Sequence, residues 1–324
     1  MNNSLKGKKV LVTGGAGFIG SHIVDKLIYL RAEVVVLDNL STGKLENLSH
    51  NIDKLTFIEG DFADEAILEK TLKGVDFILH QAALRSVPES VKEPFKYHQV
   101  NVTGTLKLFL KAKEKKIKRI VFASSSSVYG ERSDFPERET DMPKPASPYA
   151  STKLMGENYA YLFSKLYGLD VVSLRYFNVF GPRQSLENQY AVVVPKFITC
   201  LLAGKQPPIY GDGQQERDFA YVEDVAEANI LALMRENIQG EIFNIASGKP
   251  KSVNYLFNVL KKIISEEASP VYKKARTVDV RKTHADIKKA TRILKWNPQT
   301  SFIKGLEKTT KWYQDSQQPI ADSR

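Results

Sequence analysis

The sequence predicts an α/β fold: a doubly wound parallel sheet with helices on both faces, and a smaller, interleaved C-terminal substrate domain. Three observations predict it. Short apolar strands alternate with helical segments through the first half of the chain. Those strands read as near-continuous apolar runs, such as Val34-Val35-Val36-Leu37, the pattern of strands covered on both faces. The first strand runs straight into a glycine-rich turn and then a helix.

Taken in order, strands are expected at Lys9–Thr13, Glu33–Asp38, Leu55–Gly60, Phe77–Gln81, Arg119–Ser124 and Asp170–Tyr176. Helices are expected at Ser21–Leu30, Glu65–Leu72, Thr103–Lys115 and Tyr149–Tyr167. The second half is less regular, with Gly181–Gln189, Gly204–Asp218 and Ser265–Arg281 as loops or small elements around a cleft. Glu241-Ile242-Phe243-Asn244-Ile245 reads as a strand returning to the sheet. The first domain is therefore expected over 1–178 plus about 220–250, and the second over 179–219 plus 251–314. The tail Asp315–Arg324 is expected to be disordered.

Composition excludes several classes. The 324 residues are 42% hydrophobic and 26% charged, which describes an ordinary globular protein. No apolar stretch reaches the roughly 20 residues of a membrane helix, and the N-terminus shows no secretion signal. The single cysteine, Cys200, rules out an internal disulfide and a multi-cysteine metal site, so a cytoplasmic protein without metal is expected. Cys200 falls in an expected helix, Pro195–Leu202, and reads as core packing. The net charge of +10 raises the question of nucleic acid, but its densest run, Lys111 to Arg119, lies where a helix ends before a buried strand. That is a solvated helix end, and no nucleic-acid partner is expected.

The turn after the first strand is Gly14-Gly15-Ala16-Gly17-Phe18-Ile19-Gly20. Glycines at 14, 17 and 20 allow a tight turn, close approach to a pyrophosphate and close helix–strand packing. The following helix then points its positive end at the phosphates. This is a Rossmann-type signature. Asp38 ends the second strand, where a carboxylate accepts both hydroxyls of an adenosine ribose and repels a 2′-phosphate, so NAD is expected. Asn39, Ser41, Thr42 and Gly43 follow as walls of the adenosine pocket. Asp61 and Phe62, at the end of the third strand, are placed for the adenine.

Tyr149 and Lys153 stand four residues apart, on one face of a helix that Ser147-Pro148 would start. A phenol titrates near pH 10 and is a poor base at neutral pH. An ammonium beside it favours the phenolate, which is the expected role of Lys153.

The G-x-x-G-x-x-G turn, His80-Gln81-Ala82-Ala83, the Ser124–Ser127 run, Tyr149/Lys153 and Arg175-Tyr176-Phe177-Asn178 occur in one order. In this the chain, from Lys8 to about Tyr313, resembles the extended short-chain dehydrogenases/reductases, specifically the NAD-dependent nucleotide-sugar epimerases and dehydratases. The resemblance implies that Gln81, Ala82 and Ala83 lie against the cofactor. Dehydratases carry an aspartate and a glutamate before the segment matching Val128-Tyr129-Gly130. This chain has Ser125-Ser126-Ser127, which argues against elimination and for a C4 epimerase.

By the same resemblance Tyr149 takes the proton of the sugar 4-hydroxyl while NAD oxidises C4. Ser125 relays that proton with support from Ser126, and Lys153 holds the nicotinamide ribose. The 4-keto sugar then turns over and is reduced on its other face. Asn178, Arg217 and Arg281 are implied ligands of the substrate diphosphate. The segments Tyr190–Pro195, with Val193, and Ile209-Tyr210 are implied to line a uracil. Ser86 is implied to bind the sugar. Thr283, matching the family position that gates the C2 substituent, is small and would admit an N-acetyl group. These features resemble UDP-N-acetylglucosamine and UDP-glucose 4-epimerases. Arg85 departs from that pattern and could favour a uronic acid. Other readings are a UDP-glucuronate 4-epimerase, a related dehydratase or reductase, and a non-catalytic NAD sensor. Related enzymes pair through the helices matching Thr103–Lys115 and Tyr149–Tyr167, so a homodimer is expected.

Overall fold

A computed structural model describes residues 5–185, 193–275 and 280–317. The strands are β1 (Lys9–Thr13), β2 (Glu33–Asp38), β3 (Leu55–Glu59), β4 (Phe77–His80), β5 (Arg119–Ser125), β6 (Val171–Tyr176), β7 (Asn178–Phe180), β8 (Pro208–Tyr210), β9 (Glu216–Arg217), β10 (Phe219–Tyr221), β11 (Ile242–Ile245), β12 (Lys251–Ser252) and β13 (Val271–Lys273). The helices are α1 (Phe18–Tyr29), α2 (Glu65–Thr71), α3 (Val87–Lys92), α4 (Pro94–His98), α5 (Thr105–Glu114), α6 (Pro148–Leu166), α7 (Val193–Leu202), α8 (Val222–Met234), α9 (Val253–Ile264) and α10 (Phe302–Gln317).

Seven strands form one sheet in the order β11-β6-β5-β4-β1-β2-β3. Every neighbouring pair in it is parallel. Alternation along the strands explains their continuous apolar runs. Val10, Val12, Val34 and Val36 pack on one face with Ile23 and Leu27 of α1 and Val225 of α8. Leu11, Val35 and Leu37 pack on the other with Leu68 of α2, Phe109 of α5 and Phe163 of α6. A separate apolar core joins α7, α9 and α10 through Phe197, Leu256, Leu260 and Leu306. The chain order reverses between β1 and β4, which opens a crevice at their C-terminal ends.

Three expectations are corrected. Helix α1 starts at Phe18, not Ser21, because Gly17 already serves as its N-cap in extended conformation. A π-helical turn, Gln99–Gly104, precedes α5, so that helix begins at Thr105, not Thr103. Helix α10 continues through Gln317 into the expected tail. Its buried Leu306, Thr309, Thr310 and Tyr313 recur at helical spacing and hold it down. Residues 318–324 of that tail lie outside the described residues, as do 1–4, parts of the expected loops (186–189 and 276–279), and Tyr190, Ala191 and Val192 of the expected uracil wall. Among the described residues no helix is long and apolar enough to cross a membrane.

Candidate active site

Gly14 and Gly20 of the turn have no room for side chains. A Cβ on Gly14, whose φ is +69°, would lie 2.8 Å from the Ala82 amide nitrogen, and one on Gly20 would lie 2.1 Å from the Gly14 carbonyl oxygen. The first turn of α1 carries no acid, so its amides and positive end face the crevice uncompensated. Asp38, 7% exposed, accepts hydrogen bonds from the Ala16 amide at 3.0 Å and the Leu40 amide at 2.9 Å. Burial raises its pKa, and those amides act against the shift. Asn39 reaches across to Asp61 at 3.4 Å.

These groups line a cleft of about 630 Å³. Its walls include Gly14, Gly17, Phe18, Ile19, Gly20, Asp38, Asn39, Ser41, Thr42, Asp61, Phe62, Gln81, Ala82, Ala83, Tyr149 and Lys153. All the cofactor positions expected from sequence are there except Gly43. A Cβ on Gly43 would lie 2.8 Å from the Asp38 carboxylate, so this residue backs the acid instead of facing the cleft. A side-chain-free cradle at a helix N-terminus, with a carboxylate one strand away, fits a dinucleotide whose adenosine ribose is unphosphorylated.

Helix α6 is launched by Ser147, whose hydroxyl accepts from the Ala150 amide at 3.2 Å, with Pro148 in its first turn. Tyr149 and Lys153 follow on one face. Lys153 is 5% exposed and donates to the Ala123 carbonyl of β5 at 2.9 Å. Burial alone lowers its pKa from 10.5 to about 8. The Tyr149 phenol is pushed above its usual value by burial, while the Ser125 hydroxyl and then the Arg85 guanidinium act to lower it. The Lys153 ammonium donates to β5, and Arg85 is a cation whose charge acts on the phenol.

One turn further along α6, Glu157 accepts two bonds from Arg175 of β6, at 2.8 and 2.7 Å, and one from Ser124 at 2.5 Å. Both ionic partners are 2% exposed. The Arg175 guanidinium also stacks 4.6 Å from the Tyr129 ring, whose hydroxyl donates to Asn244 of β11 at 2.7 Å. This network fixes α6, and with it Tyr149 and Lys153, against the sheet.

A second cavity of about 270 Å³ adjoins the first and shares Phe18, Ile19, Arg85, Ser124, Tyr149, Tyr176 and Gln184 with it. Of the expected substrate residues, Ser125, Asn178 and Val193 line it with Tyr149. The Ser125 hydroxyl also accepts from the Ser127 amide at 3.2 Å and from the Ser127 hydroxyl at 2.9 Å. Thr283 reaches this cavity only through Asn178, to which it donates at 3.2 Å. Ser126 and Tyr210 are outside both walls, and Ser86 caps α3, accepting from the Glu89 amide. Arg217 and Arg281 are brought onto adjacent segments, since the Glu216 amide donates to the Arg281 carbonyl at 3.0 Å. Neither is among the residues that line these two cavities. Arg281 forms an exposed ion pair with Asp212 at 2.9 Å, and the Arg217 guanidinium donates to the Glu216 carbonyl.

The sequence reading missed several walls. Arg183, Gln184, Trp312 and Tyr313 line the main cleft, and the Tyr313 hydroxyl donates to the Gln184 carbonyl. Asn229 of α8 accepts from the Tyr176 hydroxyl at 2.8 Å and from Gln81 at 3.1 Å. No local pattern marks these residues, because their partners lie 129, 53 and 148 positions away in the chain.

Cradle, ribose acid and a tyrosine–lysine pair on a doubly wound sheet define an NAD-binding short-chain dehydrogenase/reductase of the extended type. Residues 10–246 match the model of the NAD dependent epimerase/dehydratase family. The chain is 42% identical over 309 residues to a putative UDP-glucose 4-epimerase of Methanocaldococcus jannaschii, covering 95% of this chain and 99% of that one. It superposes with a TM-score of 0.92 and 45% identity on a UDP-N-acetylglucosamine 4-epimerase of Methanobrevibacter ruminantium M1 solved with UDP-N-acetylmuramic acid, over 96% of this chain and 99% of that one. A UDP-glucuronic acid 4-epimerase of Bacillus cereus, solved with UDP-glucuronic acid and NAD, matches at 34% identity and a TM-score of 0.88, over 95% and 99%. The chain belongs to the NAD dependent epimerase/dehydratase family, and NAD is its cofactor.

Proposed function

We propose that this enzyme is a UDP-sugar 4-epimerase that inverts C4 through a transient 4-keto sugar, with UDP-N-acetylglucosamine and UDP-N-acetylgalactosamine as substrates and UDP-glucose and UDP-galactose also accepted. One observation carries the reading. Tyr149 stands in the wall shared by the two cavities, with Lys153 on the cofactor side and Ser125 on the other. A base in that position reaches both reactants. Bound NAD supplies reversible oxidation of C4. Tyr149 accepts and returns the 4-hydroxyl proton, and Ser125 steers it. Lys153 holds the nicotinamide ribose. Asn178 and Val193 bound the sugar end, with Arg217 and Arg281 as the diphosphate ligands and Thr283 as the gate at C2. The absence of carboxylates at Ser125, Ser126 and Ser127 favours inversion over elimination.

The proposal includes the division into a nucleotide domain (1–178 plus about 220–250) and a sugar domain (179–219 plus 251–314). The separate apolar core of α7, α9 and α10 supports that division. It includes a homodimer too. Helices α5 and α6 and the Tyr167 that ends α6 expose large apolar side chains, Leu110, Tyr161, Leu162, Leu166 and Tyr167, of the kind that a second copy covers. The deciding experiment is incubation with a panel of UDP-sugars, reading C4 configuration by proton NMR while following absorbance at the NADH band. Inversion without net NADH supports the reading. Net NADH, loss of water, or no conversion of any sugar rejects it, the last in favour of an NAD-binding sensor.

A further inference from the structure

Arg183 and Gln184 belong to the lining of the main cleft, and the end of α10 adds Trp312 and Tyr313 to it. Three side chains hold the segment 182–184 in place. The His22 ring of α1 donates to the Pro182 carbonyl at 3.1 Å, which assigns its proton to Nε2. Burial lowers the His22 pKa to about 4, so the ring is neutral. Three residues further along α1, the Asp25 carboxylate pairs with the Arg183 guanidinium at 2.8 Å. From the opposite end of the chain, the Tyr313 hydroxyl of α10 donates to the Gln184 carbonyl.

Asp25 does more than face Arg183. Its other oxygen accepts from His50 at 2.8 Å and from Asn51 at 3.0 Å, both in the segment Leu45–Lys54. That segment also bears on the cleft, because Asn47 lines it and donates to the Ala16 carbonyl of the glycine turn at 2.8 Å. One carboxylate therefore joins the cradle helix, the segment Leu45–Lys54 and the segment 182–184. Arg183 itself has a φ of +66°. A residue with a long side chain keeps that left-handed conformation only where its surroundings hold it there. None of these bonds uses a group of the cofactor, so they restrict entry to the cleft as much as exit from it.

We infer that Asp25 of α1 and Tyr313 of α10 are positioning residues for the cofactor, pinning the segment 182–184 as a clasp on the dinucleotide cleft that NAD passes only when the pins part. The inference rests on NAD as the cofactor, and is independent of the sugar and of the reaction at C4.

The test loads the full chain with NADH and chases it with excess NAD, following the fluorescence of bound NADH. Asp25→Asn and Tyr313→Phe are near-isosteric and each remove one pin. Each speeds NADH release about 2- to 10-fold, the range for one hydrogen bond. Association speeds by the same factor, since the pins must part for entry too. The dissociation constant, read by calorimetric titration of the nucleotide-free protein with NADH, therefore stays at its parent value. Lys308→Gln is the control. It removes an exposed ion pair between α10 and Glu223, 2.9 Å long, and touches no pin, so release keeps the parent rate. Unchanged release in either pin variant overturns the inference. Faster release matched by an equal loss of affinity also overturns it, because the side chains would then merely touch the cofactor. Equal acceleration by Lys308→Gln overturns it as well, by showing a general loosening of α10.

Discussion

Replacing Lys153 by methionine should stabilise the protein while destroying its activity. Lys153 is 5% exposed, and its ammonium has one hydrogen bond to the Ala123 carbonyl at 2.9 Å and lies 5.2 Å from the Phe122 ring centre. No carboxylate offsets its lost hydration, and burial accordingly takes its pKa from 10.5 to about 8. That gap corresponds to about 3 kcal/mol of destabilisation at neutral pH. The sign follows from proton counts. Between pH 8 and 10.5 the unfolded chain binds a proton that the folded chain has released, so stability rises with pH across that window and the full penalty applies below it. Lys153→Met removes the penalty and loses one hydrogen bond and one ring contact, for a net gain of about 1–3 kcal/mol at pH 7. Urea denaturation of the nucleotide-free protein at pH 7, 8 and 9 reads both effects. The unaltered protein should gain stability relative to the variant as pH rises, and the two curves should converge. A variant less stable than the parent at pH 7, or a difference independent of pH, refutes the reasoning.

Tyr149→Phe should lower turnover by about 10²- to 10⁴-fold with NAD still bound, since only the proton transfer is lost; single-turnover kinetics checks this, and an unchanged rate rejects Tyr149 as the base. Glu157→Gln should cost about 3–5 kcal/mol because Arg175 keeps a buried, unpaired charge. The double variant Glu157→Met with Arg175→Met should recover most of that loss in urea denaturation, and a single-variant cost below about 1 kcal/mol would show the pair to be dispensable. Thr283→Tyr should reduce kcat/KM for N-acetylated UDP-sugars by about 10-fold or more. Plain hexoses should be spared, and equal loss for both sets would remove Thr283 from the gate.

The sheet and the cofactor cradle are legible in the chain without its fold. Both are local: apolar runs of strand length, a glycine turn that tolerates no Cβ, and an acid at the end of the next strand need no distant partner to be recognised. The seven-stranded parallel sheet follows from those runs, and the positions expected for the cofactor line one cleft, with Gly43 set behind Asp38. The spacing of Tyr149 and Lys153 likewise placed both on one face of α6. Tertiary structure decided what surrounds that face. It turned the Lys153 ammonium onto β5, brought Arg85 to the phenol, and set Glu157 against Arg175 beneath them. It also brought Trp312 and Tyr313 of the last helix to the cleft, and drew Arg217 and Arg281 together on a surface outside it. Periodicity specifies which face of an element is buried. Which residues meet across the crevice, and what that does to their charge, depends on elements far apart in the chain and is fixed only when they pack.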